Sequence, residues 1–361
     1  MANNNNDSNA FSLKRQLSSN EDDEEHDDDI TTLKEFIEGE KEVENLVGAL
    51  LGASDDTNCS YEQGYVYRQA LYGCATCFSE LKKNDDNDQV HGICLACSIS
   101  CHADHDLYEL YTKRKFRCDC GNDKFKTSDT GTLVNACKLK PDKEPLNELN
   151  KYNHNFRGLY CVCDKPYPAA ETTGAADTSS DDLGGMFQCV ACEDWFHEMH
   201  LPGFATFPDS VSDTQNDEGE IICHQCMQKH SFLWYYNQTQ TQQQQQQKTS
   251  NADASIKVEV EEEEEEVANQ NQEVNNSGGA ACLLERIKSM ASQMPDKLNA
   301  AYFGKDWRTT LCKCQQCLEM YKEQDVEYLL DANDILTYYE EKGKKNIEAS
   351  EDKLLKEQLD K

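Results

Sequence analysis

Apolar residues recur at helical spacing in three stretches of this chain. The first covers residues 30–51 and begins with Thr32 and Glu35, which have the spacing of a capping box. The other two are Cys282–Met294 and Asp325–Tyr339. We predict a short helix in the first stretch, packed on the module that follows it, and a small helical region at the C-terminal end with a charged Lys/Glu tail.

Between Cys59 and Cys137 neither helical nor strand periodicity is strong. Weak periodicity is expected where bound metal, rather than a large apolar core, supplies the folding free energy. No window approaches 18 consecutive apolar residues, so we expect no membrane span. The N-terminus, MANNNNDSNA, lacks the basic and apolar regions of a secretory signal, and we therefore expect the nucleus or the cytoplasm.

Composition indicates that much of the chain does not fold by itself. Hydrophobic residues make up 37% of the chain and its net charge is −33. Carboxylates concentrate in Glu21–Asp29 and Glu261–Glu266, and a glutamine-rich run precedes the second block. Such segments are typically disordered, and a polyanionic chain is repelled by nucleic acid, so no direct nucleic-acid binding is expected.

Cysteine and histidine carry the main chemical signal. Ten of them follow the spacing C-x14-C-x2-C-x16-C-x2-C-x4-H-x2-H-x12-C-x-C-x16-C. A C-x2-C pair brings two thiolates onto one turn, where both reach a tetrahedral zinc ion at about 2.3 Å. A disulfide framework is the alternative, but the cysteines number 19, which is odd, and histidines have no role in it. The predicted ligands are Cys59, Cys74, Cys77, Cys94, Cys97, His102, His105, Cys118, Cys120 and Cys137.

With Cys118-Asp-Cys120-Gly121 after the histidine pair, this series resembles the UBR box, the zinc domain by which some ubiquitin ligases recognise destabilising N-terminal residues. The resemblance implies three zinc ions and one shared thiolate, that of Cys97. The implied sets are Cys74, Cys77, His102 and His105; Cys59, Cys94, Cys97 and Cys118; and Cys97, Cys120 and Cys137. The family's last ligand, a histidine, is replaced by Lys138-Leu139-Lys140, and either Cys101 or His154 could substitute, or the site could be incomplete.

The same resemblance implies an acidic pocket for a peptide N-terminus. The family's three aspartates correspond here to Glu80, Asp119 and Asn122, so only one is retained. We therefore expect weak binding of peptides that begin with Arg or Lys, because carboxylates pair with those charges. A zinc scaffold that binds no N-terminus is the alternative.

A second series, C-x-C-x25-C-x2-C-x4-H-x2-H-x22-C-x2-C, begins at Cys161. Eight ligands in four pairs suit two ions in a cross-brace, in which alternate pairs share one ion. One site is then Cys161, Cys163, His197 and His200, and the other is Cys189, Cys192, Cys223 and Cys226. The aromatic pair Trp195-Phe196 before His197 resembles the PHD finger, with His200 where that family has cysteine. The two series together predict about five zinc ions.

PHD fingers read histone tails, and their methyl-lysine cages imply roles here for Tyr160 and Trp195. Residues 155–236 carry 13 Asp and Glu against 3 Lys and Arg, a balance of −10 that suits a basic peptide. The alternative is that both aromatic side chains are simply packed. Gly185–Gln188 is the predicted edge strand, to which a peptide could add.

A third group of thiols, Cys312, Cys314 and Cys317, lies near the C-terminus, with Cys282 as a more distant candidate. These cysteines could hold a further zinc ion or be ordinary surface thiols. The pattern does not choose between the two.

The order of these modules resembles the PHD-containing member of the UBR-box ubiquitin ligase family. The implied fold is a set of small zinc-stabilised α+β modules, and the implied partners are protein substrates and a ubiquitin-conjugating enzyme for which the finger acts as a RING-like scaffold. A non-catalytic nuclear reader of histone tails is the alternative. The predicted segments are a disordered N-terminus (1–29), a helical segment (30–56), a UBR-type finger (57–142), a PHD-type finger (157–236), a disordered linker (237–280) and a helical C-terminal region (281–361).

Overall fold

The computed structural model describes residues 52–81, 90–127, 130–167, 185–208, 211, 219–253 and 282–359. The helix predicted at residues 30–51 lies outside them. The chain divides into a first unit, containing residues 52–204, 208, 211 and 333–359, and a second unit, containing residues 205–207 and 219–332. The elements are β1 (Val66–Cys74), α1 (Ala75–Leu81), β2 (Ile93–Cys94), α2 (Leu95–Cys101), β3 (Leu107–Phe116), β4 (Met186–Gln188), β5 (Trp195–His197), β6 (Glu220–Ile222), α3 (His224–Lys229), α4 (Phe232–Asp253), α5 (Leu283–Met290), β7 (Ala301–Phe303), α6 (Gln315–Glu323) and α7 (Leu336–Leu359).

A three-stranded antiparallel sheet organises the first unit, in the order β2-β1-β3. Leu71 of β1 lies opposite Cys94, and Tyr72 lies opposite Glu109. Strand β1 ends at Cys74 and runs directly into α1, and β2 ends at Cys94 and runs directly into α2. The sheet therefore places two cysteines at strand ends, where helices begin.

The cores of the first unit are small. One cluster is apolar in the usual sense and consists of Leu71, Val90, Leu110, Phe116 and Phe156. The other cluster contains nine cysteines, which pack with a few other residues such as Ile93 and Phe125. This composition agrees with the predicted class of zinc-stabilised α+β modules, because apolar burial alone supplies little folding free energy here.

A cluster of buried charges joins three parts of the first unit. Asp334, whose side chain is 0% exposed, lies before α7 and accepts from Arg68 of β1 at 2.7 Å and from Arg114 of β3 at 3.1 Å. Glu193, in the turn between β4 and β5, lies 3.4 Å from Arg114. The residues before α7 and the β4–β5 turn are thereby fixed to the same face of the sheet.

In the second unit, β6 and β7 form an antiparallel pair, with Ile222 opposite Ala301. The Arg308 side chain is 2% exposed and donates to both oxygens of Glu220, at 2.6 Å and 2.8 Å. Trp307 Nε1 donates to the same carboxylate at 2.7 Å. The chain that follows the predicted linker therefore belongs to the same folded unit as β6.

Two expectations about the C-terminal part need correction. The linker predicted from residue 237 begins as a helix, because α4 continues through the glutamine run to Asp253. Glutamine is a good helix former. The first turn of α4 is anchored by the buried residues Phe232, Leu233 and Trp234. The helix predicted for Asp325–Tyr339 is interrupted, because Asp325 has a left-handed φ of 57° and α7 begins only at Leu336. Helix α6 and the charged tail, which forms most of α7, both lie in the region 281–361 that was predicted to be helical.

None of the helices in the described ranges combines the length and apolar character that a membrane crossing requires.

Replacing Asp334 with Ala should destabilise the first unit by about 3–5 kcal/mol, because two arginines would remain buried without their shared carboxylate. Urea unfolding of the zinc-loaded chain measures this change. Glu341→Ala is the matched control, since Glu341 is 64% exposed and faces Lys345 at 3.6 Å; it should change stability by less than about 1 kcal/mol. Similar losses in both variants would contradict a structural role for the cluster.

Candidate metal centres

The first cluster forms where β1 meets α1. Cys74 Sγ and Cys77 Sγ each lie 3.3 Å from His105 Nδ1, and Cys77 Sγ lies 3.6 Å from His102 Nδ1. The Cys77 N–H donates to Cys74 Sγ at 3.4 Å, which orients the first thiolate. The four predicted ligands thus come together around one point, with the geometry that a tetrahedral zinc ion bound by two thiolates and two imidazoles requires.

The second cluster contains Cys59, Cys94, Cys97 and Cys118. The Sγ atoms of Cys97 and Cys118 are 3.8 Å apart. Two thiolates bound at about 2.3 Å to one tetrahedral zinc ion are separated by about 3.8 Å, whereas a disulfide needs about 2.05 Å. Lys143 Nζ lies 3.4 Å from Cys59 Sγ, so a cation offsets part of the charge of a four-thiolate site.

The third cluster shows which residue is the fourth ligand beside Cys97, Cys120 and Cys137. Cys101 joins Cys97, Cys120 and Cys137, and the Sγ atoms of Cys97 and Cys137 are 3.7 Å apart. Cys97 and Cys101 are four residues apart in α2, so both thiols lie on one face of the helix.

His154, the other candidate, takes no part in this cluster. Its ring nitrogens contact Asp194 at 2.9 Å and Asp164 at 2.7 Å. The hydrogen bond with Asp194, together with that to Asp164, raises the pKa of His154 against the effect of burial. Its role is to bind acidic neighbours within the first unit rather than to bind metal.

The four thiols of the third cluster differ in how readily they lose their protons. A hydrogen bond from Cys120 lowers the pKa of Cys137 to about 5 and that of Cys101 to about 6. Hydrogen bonds with Cys118 and Cys101 raise the pKa of Cys97 and Cys120, respectively. Because zinc binds the deprotonated thiol, binding of the ion releases the protons that these two thiols hold.

In the second module, Cys161, Cys163, His197 and His200 meet as predicted for one half of the cross-brace. Cys161 Sγ lies 3.3 Å from His200 Nδ1, and Cys163 Sγ lies 3.6 Å from His197 Nδ1. His200 therefore occupies the position of the family's usual cysteine with a ligand atom correctly placed.

The two cysteine pairs predicted for the other half of the cross-brace lie in different units. Cys189 and Cys192 lie in the turn between β4 and β5, where the Cys189 N–H donates to the Asp194 carbonyl at 2.9 Å. Cys223 is the N-cap of α3, and Cys226 lies in its first turn. The joining of these pairs around one ion stays a prediction.

Asp119, the retained carboxylate of the predicted peptide pocket, is 0% exposed. It accepts a hydrogen bond from the Gly92 N–H at 3.0 Å and one from the Tyr152 hydroxyl at 2.9 Å. It also accepts from the side-chain amides of three residues, Asn122, Asn147 and Asn150. Burial raises the pKa of Asp119, although these hydrogen bonds oppose the shift. Its carboxylate holds several loops together.

Asn122 is also buried, and its Oδ1 accepts from the Lys124 N–H at 2.9 Å. Glu80 lies in α1, and its side chain is outside the described part of the structure. The recognition of an N-terminal residue by Glu80, Asp119 and Asn122 therefore stays a prediction.

The two aromatic residues of the predicted methyl-lysine cage both contact β3. The Tyr160 hydroxyl donates to the Glu109 carbonyl at 3.1 Å, and Tyr160 is 8% exposed. Trp195 is half-buried and makes an edge-to-face contact with Tyr111 at a centroid distance of 5.2 Å. This geometry favours the packed alternative for both residues, and the cage itself stays a prediction.

Comparisons with known proteins match both modules. The model of the "UBR7-like PHD finger" matches residues 155–237, and that of the "Putative zinc finger in N-recognin (UBR box)" matches residues 58–139. A protein of Homo sapiens named "Putative E3 ubiquitin-protein ligase UBR7" is 39% identical, over 87% of this chain and 78% of its own. "Putative E3 ubiquitin-protein ligase ubr7" of Dictyostelium discoideum is 29% identical, over 78% of this chain and 61% of its own. "Protein mlo2" of Schizosaccharomyces pombe is 38% identical, over 55% of this chain and 52% of its own.

No solved structure matches significantly. Both predicted resemblances are confirmed by the family models, and zinc is confirmed as the cofactor by these models together with the ligand clusters.

Replacing Cys97 with Ser should remove two zinc ions and unfold the first module, because one thiolate serves two clusters. Metal analysis of the purified chain and thermal unfolding measure the two effects. His105→Ala should cost one ion and less stability. His154→Ala should retain all the zinc, and a loss of zinc in that variant would contradict the assignment of Cys101.

Asp119→Asn should lower stability by about 1–3 kcal/mol, because an amide N–H₂ would then face groups that donate hydrogen bonds. Thermal unfolding measures the loss. Calorimetric titration of the unmodified chain with peptides that begin with Arg or Lys should show weak binding. Low-micromolar binding that the variant loses without a change in stability would instead assign Asp119 to peptide recognition.

Proposed function

We propose that this chain, which belongs to the UBR7 family, is a ubiquitin-protein ligase component whose zinc modules bind a protein substrate and a ubiquitin-conjugating enzyme. The observation that carries the proposal is its similarity, along most of its length, to relatives named "Putative E3 ubiquitin-protein ligase UBR7". The UBR-box match adds a module of the kind described as belonging to N-recognins.

The state of the cysteines supports scaffolding rather than covalent catalysis. A ligase that carries ubiquitin itself needs a reactive thiol outside any metal site. Here the cysteines of the UBR-type finger fall into metal clusters, as do Cys161 and Cys163, and Cys189, Cys192, Cys223 and Cys226 are predicted ligands. The substrate lysine would then attack the thioester carbonyl on the conjugating enzyme, forming an isopeptide bond and releasing that enzyme's thiol.

The surface proposed for the conjugating enzyme surrounds the Cys161–His200 cluster. Val162 lies between two ligands and is 50% exposed, and Met199, also between two ligands, is 69% exposed. Burying apolar side chains of this kind favours association by about 25 cal/mol per Å². Because neither side chain is a ligand, each can be changed without removing the metal.

Selection of the substrate is proposed for the UBR-type finger. The geometry supports weak recognition of a basic N-terminal residue, since the Asp119 carboxylate is already saturated with hydrogen bonds. Substrates whose first residue is uncharged therefore suit this module better than those of the Arg and Lys class.

A second candidate function is binding of basic histone tails in the nucleus by the PHD-type finger, and its charge balance of −10 favours it. Because Tyr160 and Trp195 pack on β3, such binding would depend on charge more than on an aromatic cage. Its affinity should fall as salt is added, since charge pairing is screened within about 8–10 Å at ordinary ionic strength.

The main proposal can be tested without a known substrate, by measuring the transfer of ubiquitin to free lysine from a panel of conjugating enzymes that carry it as a thioester. The full chain should accelerate discharge from at least one enzyme of the panel, and Val162→Arg and Met199→Arg should each reduce the acceleration at least tenfold while zinc content stays unchanged. Met290→Arg is the matched control, because Met290 is 80% exposed and lies in α5, away from this cluster in sequence. No acceleration across the panel, together with salt-dependent binding of histone-tail peptides, would favour the reader function.

A further inference from the structure

The second unit contains a group of four thiols that none of the matched modules includes. Cys282 Sγ lies 3.5 Å from Cys317 Sγ and 3.9 Å from Cys312 Sγ. The Cys314 thiol interacts with all three. These separations bracket the value of about 3.8 Å expected for two thiolates on one tetrahedral zinc ion, and they are far longer than the roughly 2.05 Å of a disulfide.

The backbone around this group repeats that of the other cysteine pairs. Cys314 caps α6 with φ −68° and ψ 157°, and Cys317 lies in the first turn. Cys223 caps α3 with φ −64° and ψ 158°, and Cys94 caps α2 with φ −75° and ψ 166°. Cys314 and Cys317 thus have the same spacing and the same position at a helix start as Cys94 and Cys97 of the second cluster. The same turn, which brings two thiols to one ion in the UBR-type finger, is therefore built again here.

The number of candidate ligands in the chain agrees with a sixth zinc ion. The chain has 19 cysteines, and four histidines, at 102, 105, 197 and 200, are ligands, which makes 23 candidate ligands. Six tetrahedral ions need about 24 ligand positions, and the shared thiolate of Cys97 supplies the extra one. With five ions, four thiols would remain, and the four that remain are those that the structure brings together.

We propose that Cys282, Cys312, Cys314 and Cys317 bind a sixth zinc ion, a structural site of four thiolates. Cys312 and Cys317 are buried and Cys282 and Cys314 are partly exposed, as expected for a closed site near a surface. Four thiolates leave no open position, so the ion is structural and not a catalytic Lewis acid.

The ion would hold together the parts of the second unit that follow residue 281. It would tie the start of α5 to the start of α6, closing a loop that contains β7 and Arg308. The Cys312 N–H donates to the hydroxyl of Tyr236 in α4 at 3.0 Å, and α4 also packs against α5 and β7. Because β7 pairs with β6, which leads into Cys223, the sixth ion would also support that strand.

The test begins with the unmodified full-length chain, purified under reducing conditions and loaded with zinc. Native mass spectrometry should show six zinc ions per chain. Alkylation with iodoacetamide followed by peptide mapping should leave Cys282 and Cys314 unmodified, although both are partly exposed, until a chelator is added. Five zinc ions with alkylation of Cys282 and Cys314 would overturn the proposal, and so would disulfide-linked peptides from this group.

A variant pair then locates the ion. Cys314→Ser should bind one zinc ion fewer than the unmodified chain and should expose Cys282, Cys312 and Cys317 to alkylation. Lys313→Ser, at an exposed position between two ligands, should retain all six ions. Equal zinc content in the two variants would overturn the assignment. If Cys314→Ser does not fold, the protection of Cys282 and Cys314 in the unmodified chain decides the question by itself.

Discussion

Helix α2 is the element on which the first module depends, because it and its flanking residues supply ligands to all three of its clusters. Cys94 at the N-cap and Cys97 in the first turn belong to the second cluster, while Cys97 and Cys101 belong to the third. His102 follows the helix directly and belongs to the first. A seven-residue helix is marginal by itself in water, so its conformation and the three ions depend on each other. This mutual dependence explains why so small an apolar core suffices.

Buried charge, rather than metal, joins the two modules within the first unit. Arg68 and Arg114 project from the sheet, and Asp334 and Glu193 reach them from other parts of the chain. Tyr160 and Trp195 pack against the same strand, β3. These contacts attach the part of the PHD-type finger that lies in the first unit to the sheet of the UBR-type finger.

The ligand positions could largely be predicted from the sequence, because a cysteine pair closes its turn within four residues and the spacing records that geometry. The sequence does not decide between Cys101 and His154, since the choice depends on which residue the fold brings near Cys137. The role of Asp119 could not be predicted either. Five donors surround it, four of them from distant parts of the chain, and the C-D-C-G motif indicates only its neighbours. The structure explains the glycine of this motif. Gly121 has a φ of 75°, which favours glycine, and its missing Cβ leaves room for the Cys137 backbone. The helix predicted for Cys282–Met294 is found as α5. The one predicted for Asp325–Tyr339 is wrong in its first half, because helix propensity does not register a single left-handed residue such as Asp325.

The contacts within the second unit explain how it can tolerate a long acidic insertion between α4 and α5. Helices α4 and α5 pack together although residues 254–281 separate them in sequence. Loop-closure entropy grows slowly with length, by about 0.6 kcal/mol for each doubling, so a modest number of contacts can offset it. The Tyr236 hydroxyl, the Arg308–Glu220 pair and the proposed four-thiolate zinc ion all act on the segment after the insertion, which must return to the unit. The contacts that hold the segment after the insertion do not depend on the insertion's length. The insertion can therefore vary in length without disturbing β6, the strand that leads to Cys223.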